Sequence, residues 1–282
     1  MMTLWQLAAW IEQHLHQPLP LSLLAEKIGY STRHLNTRFR QTFGDSPATY
    51  IQKRRLTLAS NLLRFTHRNI TEIALMYQFS HLSSFSRAFK NHFGQSPLDY
   101  RHADHWDMTL FYPSVAVTGY TCHTDIVCIP ENICIVPVDN KKKEVHFGLD
   151  FIINTEDGKI ISDQKIHQSL IDILFRKGTD YPLAVFGERS PGKDCDTDVN
   201  ICMGHLIPYS CKQKGVSIPS GTYACFIFKG TPINIMRFHS WAQGHGMHIF
   251  RLIMKKGPTF SIFDKTTTEG IYKTEFYIPC LC

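Results

Sequence analysis

One stretch of this chain is written twice, and the repetition limits its fold more than any other feature. Residues 38–50 read RFRQTFGDSPATY and residues 88–100 read AFKNHFGQSPLDY. Phe39, Phe43, Gly44, Ser46, Pro47 and Tyr50 return as Phe89, Phe93, Gly94, Ser96, Pro97 and Tyr100. Upstream, Ala25, Tyr30 and Ser31 match Ala74, Phe79 and Ser80, and the second copy carries one extra residue before Phe85. The shared positions are helix stops, helix caps and aromatic core positions, so the period marks a duplicated helical unit and not a biased tract.

Charge divides the chain at the end of that repeat. Residues 1–105 hold 12 Lys/Arg against 6 Asp/Glu, and residues 106–282 hold 18 of each. The whole surplus of +6 therefore sits in the duplicated helical part. A basic, helical, repeated module points to nucleic-acid phosphates, with a merely solvated basic surface as the plain alternative. A length of 282 residues suits about two domains. The N-terminal MMTLWQLAAWIEQHL lacks the cationic start and cleavage site of a signal peptide, and no apolar run is long enough for a membrane span. All nine cysteines fall between Cys122 and Cys282, an odd number without paired C-x-x-C spacing. Reduced thiols in a cytoplasmic protein, most of them small buried residues in strands, are expected, with no metal and no cofactor.

In the first part, Leu4, Leu7, Ala8, Ile11 and Leu15 stripe a helix that stops before Pro18. Ser22 is expected to cap a short helix ended by Gly29. Ser31 caps the next helix, from Thr32 to about Phe43. Helix, glycine turn and capped helix make a helix-turn-helix. Ser46–Pro47 opens a long helix that places Lys53, Arg54 and Arg55 on its outer side. Thr71 starts the second unit, which turns at Gln78–Phe79 and continues from about Leu82 to His92. Ser96–Pro97 caps a closing helix near Arg101. Seven helices result.

These residues, above all IALMYQFSHLSSFSRAFKNHFGQSPLDYR over 73–101, resemble the DNA-binding region of the AraC/XylS family of bacterial transcription regulators. The resemblance implies that one chain, as a monomer, inserts two recognition helices into consecutive major-groove segments of a promoter, about 34 Å apart. It also implies an activator role, RNA polymerase as a partner, and a cytoplasmic, nucleoid-associated location. Carried over position by position, Arg33, Asn36 and Thr37 read bases from the first unit, and Leu82, Ser83, Ser84 and Arg87 from the second. Arg40, Lys53, Arg54, Arg55, Lys90 and Arg101 are expected on phosphates. Gln78 stands where the family has glycine; a positive φ there costs about 1 kcal/mol.

Residues 106–113 read as a linker. The rest, 114–282, alternates strand-type runs with helical ones over 163–178 and 231–246, an α+β domain with an antiparallel sheet and two helices. GTYACFIFKG (221–230) and EFYIP (275–279), with a helix between, resemble the GyrI-like effector-binding domain. That implies a cavity for small aromatic cations, with a glutamate at its floor. Ser261, in PTFSIFDK, stands at the acid's expected place, so a neutral effector, or none with action through the protein's amount, is expected, and Ser261→Glu is expected to create cation affinity. Trp241, Phe263 and Tyr277 are candidate walls. Glu275 is expected to face outward or to be structural, with Glu188 a second alternative acid. The competing reading of the chain is a cytoplasmic small-molecule-binding protein or hydrolase of the GyrI-like type. DNA-alkyl repair would need a P-C-H-R context, and Pro279–Cys280 is followed by Leu281. No catalytic residue is assigned.

Overall fold

The structure, a computed structural model, describes residues 2–116, 119–137, 145–149 (backbone course only), 168, 170–176, 179–194, 196–208 and 215–281. It divides into two units. One holds residues up to 102 together with 110–116; the other holds 103–109 and the described residues from 120 to 149 and beyond 167.

The first unit is helical: α1 Leu4–Gln13, α2 Leu21–Ile28, α3 Thr32–Phe43, α4 Pro47–Phe65, α5 Ile70–Met76, α6 Leu82–Phe93 and α7 Pro97–His102. Its punctuation follows the repeat. Gly44 and Gly94 close α3 and α6 in the left-handed conformation, and Ser46 caps α4 ahead of Pro47. The recurring aromatics meet in both copies: Phe39 lies 5.6 Å from Tyr50, and Phe89 lies 5.2 Å from Tyr100, ring centre to ring centre. Each aromatic locks a recognition helix to the helix after it.

Two details of the caps differ from the sequence reading. Helix α2 begins at Leu21 behind Pro20 with no side-chain cap, so Ser22 lies inside the helix. Helix α5 is capped by Asn69, whose side chain accepts from the Thr71 amide. The extra residue of the second copy also acts here. Ser31 accepts from the His34 amide at 3.2 Å, whereas in the second copy His81 takes the cap position and Ser80 is left one residue too early. Helix α6 thus starts without a side-chain cap, a loss of about 1 kcal/mol.

Residues 106–113, expected as a linker, are tied down. Strand β1, His105–Asp107, pairs in the second unit, and the segment from Leu110 packs on the helices. Tyr112 lies 5.9 Å from Tyr50, its amide donates to Thr57 Oγ1 at 3.1 Å, and its hydroxyl donates to Asp45 at 2.7 Å.

The second unit is an antiparallel sheet. Beyond β1 its strands are β2 His123–Ile129, β3 Ile133–Pro137, β4 Val145–Leu149, β5 Leu183–Pro191, β6 Thr197–Pro208, β7 Val216–Ile218, β8 Gly221–Gly230, β9 Ile253–Lys255, β10 Thr259–Lys265 and β11 Tyr272–Leu281. The path runs β2-β8-β11-β10-β5-β6-β3-β7, with β4 on β6 and β1-β9 on the end of β11. Helix α8, Pro232–Trp241, continues through a π turn at Ala242–Gly246 into Met247–Ile249. Residues 170–174 are helical; much of the helix expected over 163–178 lies outside the described residues.

Register assigns the two faces of this sheet. Ser261 pairs with Phe276 and Val185, and Phe263 with Thr274 and Leu183, so these share one face. Helix α8 covers that face: His239 stacks on Phe276 at 4.3 Å and holds Thr274 Oγ1 at 2.9 Å, while Phe238 stacks on Phe228. Leu174 joins Phe263, Ile235 and Met236 in the same cluster. On the opposite face Ala184, Phe186, Cys202, Tyr223 and Phe260 form a second cluster with Ile135 and Ile218.

Candidate functional site

Helix α3 buries Leu35 and Phe39, which turns the stripe Arg33, Asn36, Thr37 and Arg40 the other way. Arg33, Thr37 and Arg40 are exposed and Asn36 is half-buried. The Thr37 hydroxyl donates to the Arg33 carbonyl at 3.1 Å, which leaves its oxygen and methyl toward solvent. Helix α6 buries Phe85, Phe89 and Phe93, and exposes Leu82, Ser83, Ser84, Arg87 and Lys90. Leu82 is an apolar side chain 43% exposed at the first position of that helix. In the repeat alignment Arg40 corresponds to Lys90 and Thr37 to Arg87, so each outward stripe ends in a cation at the same register.

The other expected phosphate contacts are engaged elsewhere. Arg54 is a buried side chain, not an outer one: Nε and a terminal nitrogen donate to both oxygens of Glu12 at 2.8–3.1 Å, and its other terminal nitrogen donates to the Tyr112 carbonyl. Tyr50 adds its hydroxyl to the same carboxylate at 2.6 Å. Arg55 donates to the carbonyls of Leu15 and Gln17, and Arg101 to those of Leu63 and Arg68. Lys53 is held by Asp45 at 2.7 Å and lies 4.8 Å from the centre of the Tyr112 ring. Burial alone would raise the Asp45 carboxyl, but hydrogen bonds from Lys53 and Tyr112 outweigh it and hold the group below its usual range. Arg54, Arg55 and Arg101 therefore brace the helices, Lys53 is half-committed to Asp45, and Arg40 and Lys90 remain outward.

The five candidate effector residues do not share a cavity. Ser261, Phe263 and Trp241 are buried on the helix-covered side, where Trp241 stacks with Phe238. Tyr277 and Glu275 point from the opposite face of β11, because Glu275 pairs with Ile262 and Tyr277 with Phe260. Ser261 is thus not at the floor of any site that contains Tyr277. Glu275 is a carboxylate on that aromatic face, half-buried and bonded within the sheet, as its structural alternative expects. Tyr277 and Phe260 lie parallel, 4.3 Å apart, with Tyr223 edge-on to Phe260 at 5.5 Å. Glu275 accepts from Lys273 Nζ at 2.6 Å and from the Tyr277 hydroxyl at 2.8 Å. Glu188 shares the face but is exposed in β5.

Cys134, Cys202, Cys225 and Cys280 are buried in strands, and burial is the main cause that pushes the Cys225 thiol up to about 11. Cys195, Cys211 and Cys282 lie outside the described residues. Among the described residues no group of His, Cys, Asp and Glu could hold a metal ion, and no helix is long and apolar enough to cross a membrane.

The family profile described as a helix-turn-helix domain matches residues 24–103. Over 287 residues the chain is 28% identical to the transcriptional regulator Rob of Salmonella typhimurium, covering 97% of this chain and 96% of that protein. It is 28% identical over 259 residues to the right origin-binding protein of Escherichia coli, covering 89% and 86% respectively. It is 44% identical over 100 residues to the regulatory protein SoxS of Escherichia coli, covering 34% of this chain and 90% of SoxS.

Proposed function

This chain belongs to the AraC family of DNA-binding transcription regulators, and from that premise we propose that it binds one promoter site as a monomer, with α3 and α6 in consecutive major-groove segments. The observation that carries the reading is the pair of outward stripes, each ending in a cation at the same register. Arg33 suits the two acceptors on a guanine edge and Asn36 the adenine edge. In the second unit Arg87 supplies the polar reader, and Leu82 with Ser83 and Ser84 supplies thymine-methyl and phosphate contacts. Arg40 and Lys90 anchor the backbone. The protein acts in the cytoplasm at the nucleoid, as an activator working through RNA polymerase.

Two measurements test this. Log affinity should fall against log salt with a slope of roughly −3 to −5, since few of the basic side chains remain outward. On the best site selected from a random pool, Arg33→Ala should cost about 1–3 kcal/mol and relax preference at one or two base pairs. Arg40→Ala should weaken all sequences alike and reduce the slope by about one. Identical, sequence-independent losses for both variants would demote Arg33 to a phosphate contact, and a footprint that needs a dimer would end the monomer reading.

We propose that the second unit is a GyrI-like effector-binding domain in which half-buried Tyr277, backed by the buried Phe260 and Tyr223, is the aromatic side chain that meets a ligand. Because Glu275 already has Lys273 and Tyr277 as partners, the effector expected is a neutral aromatic molecule and not a cation.

A further inference from the structure

The two helix-turn-helix turns share one positive-φ position, filled by a different residue in each. In the first, Gly29 has φ 73° and the Tyr30 amide donates to the Ala25 carbonyl at 2.9 Å. In the second, Gln78 occupies the same position with φ 65°, and the Phe79 amide donates to the Ala74 carbonyl at 2.9 Å. A side chain with a Cβ is strained in that conformation, and glycine is not. Nothing within 4 Å would crowd a Cβ at Gly29, so at this position the copies differ in backbone strain and in what the side chain does, not in available space.

The Gln78 side chain does something specific. Its Nε2 donates to the His16 carbonyl at 2.6 Å, across 62 positions of sequence. His16 lies in the connector between α1 and α2, and the carbonyls on either side of it, Leu15 and Gln17, are taken by Arg55 of α4 at 2.8 and 2.7 Å. Three consecutive carbonyls are thereby held, two by the central helix and one by the turn that aims α6. The connector leads into α2, which packs against α3. One hydrogen bond therefore joins the scaffold of the first reader directly to the turn of the second.

We propose that Gln78 is a positioning residue that sets the spacing and phase of the two half-sites the chain accepts. This rests on the two-groove reading. A hinge at the second turn would let α6 follow half-sites displaced along and around the duplex, since one base pair moves the groove by about 3.4 Å. The strut opposes that freedom, and the strained turn is the condition for placing an amide there.

The test uses the full chain and duplexes built from a selected site, with one base pair inserted or removed between the two half-sites, plus a duplex carrying only the α3 half-site. Gln78→Gly removes both strain and amide; Gln78→Glu keeps the length but has no N–H to donate. Unaltered protein should favour the native spacing sharply. Both variants should lose about fivefold of that discrimination, the weight of one net hydrogen bond, while binding the single half-site as before. Gln78→Gly should melt no lower than the unaltered protein, which separates the effect from unfolding. A sharp wild-type spacing profile that Gln78→Gly reproduces would overturn the strut. A flat wild-type profile would overturn the two-groove reading itself, and the strut with it.

Discussion

Arg54→Ala is expected to destabilise the helical unit, not to loosen its hold on DNA. The guanidinium is 6% exposed and spends its hydrogen bonds on the Glu12 carboxylate and the Tyr112 carbonyl. Removing it takes the cation from Glu12, to which the Tyr50 hydroxyl donates a neutral hydrogen bond, and frees a carbonyl that anchors the 110–116 segment. Breaking a buried ion pair on one side costs about 3–5 kcal/mol. For a cooperative unit of this size the melting temperature should fall by at least about 12 °C. Replacing both partners, Arg54→Met with Glu12→Leu, should recover much of the loss, because a buried pair is often no better than apolar side chains of similar volume. Thermal unfolding followed by circular dichroism reads both variants. An unchanged melting temperature, with affinity falling equally on all DNA sequences, would return Arg54 to the phosphate backbone.

The contrast between Arg54 and Arg40 shows what could be read before the fold was known. The repeat, its glycine stops and its Ser-Pro caps are local signals, and they located α3, α4, α6 and α7 to within a residue or so. The stripe Arg33–Asn36–Thr37–Arg40 comes from the family resemblance, and the burial of Leu35 and Phe39 on the other side of an amphipathic helix agrees with it. Helix α4 has no such clean side. It buries Tyr50, Ile51, Leu56, Ala59, Leu62 and Leu63 around much of its circumference, so a charged residue on it is not thereby on the surface. Arginine is rarely buried without a partner, and Glu12 lies 42 positions earlier with nothing in the sequence to connect them.

The sheet failed differently. The strand runs around 183–191, 221–230 and 272–281 announce themselves by composition, whereas β1, β7 and β9, of three residues each, are too short to carry a pattern. Which side chains share a face depends on register, and a slip of one residue exchanges the two faces. Ser261 opposite Phe276, not opposite Glu275, is a fact of pairing that one sequence does not contain. The outward faces of α3 and α6 agree with the resemblance, whereas the burial of Arg54, the bracing by Arg55 and Arg101, and the faces of the effector candidates depend on contacts that one sequence does not contain.

That register also changes the expectation for cations. Ser261→Glu should not create a cation site; it should destabilise the second unit by burying a carboxylate beneath α8, where Ser261 is 5% exposed. The acid that matters is Glu275. Partial burial alone would raise its carboxyl, but hydrogen bonds from Lys273 and Tyr277 outweigh burial and hold it below the usual range, so it is charged at neutral pH. A cationic ligand would find the Lys273 ammonium already 2.6 Å from that oxygen. Lys273→Met should remove the internal competitor and leave an ionised carboxylate beside the stacked Phe260–Tyr277 pair. Affinity for a lipophilic aromatic cation such as tetraphenylphosphonium should rise by roughly tenfold or more, the scale of a hydrogen bond to a charged group. Adding Glu275→Gln should abolish the gain. Calorimetric titration of the three forms decides it: tight cation binding by the unaltered protein, or a gain that survives Glu275→Gln, would show that Lys273 does not occupy the place of a ligand.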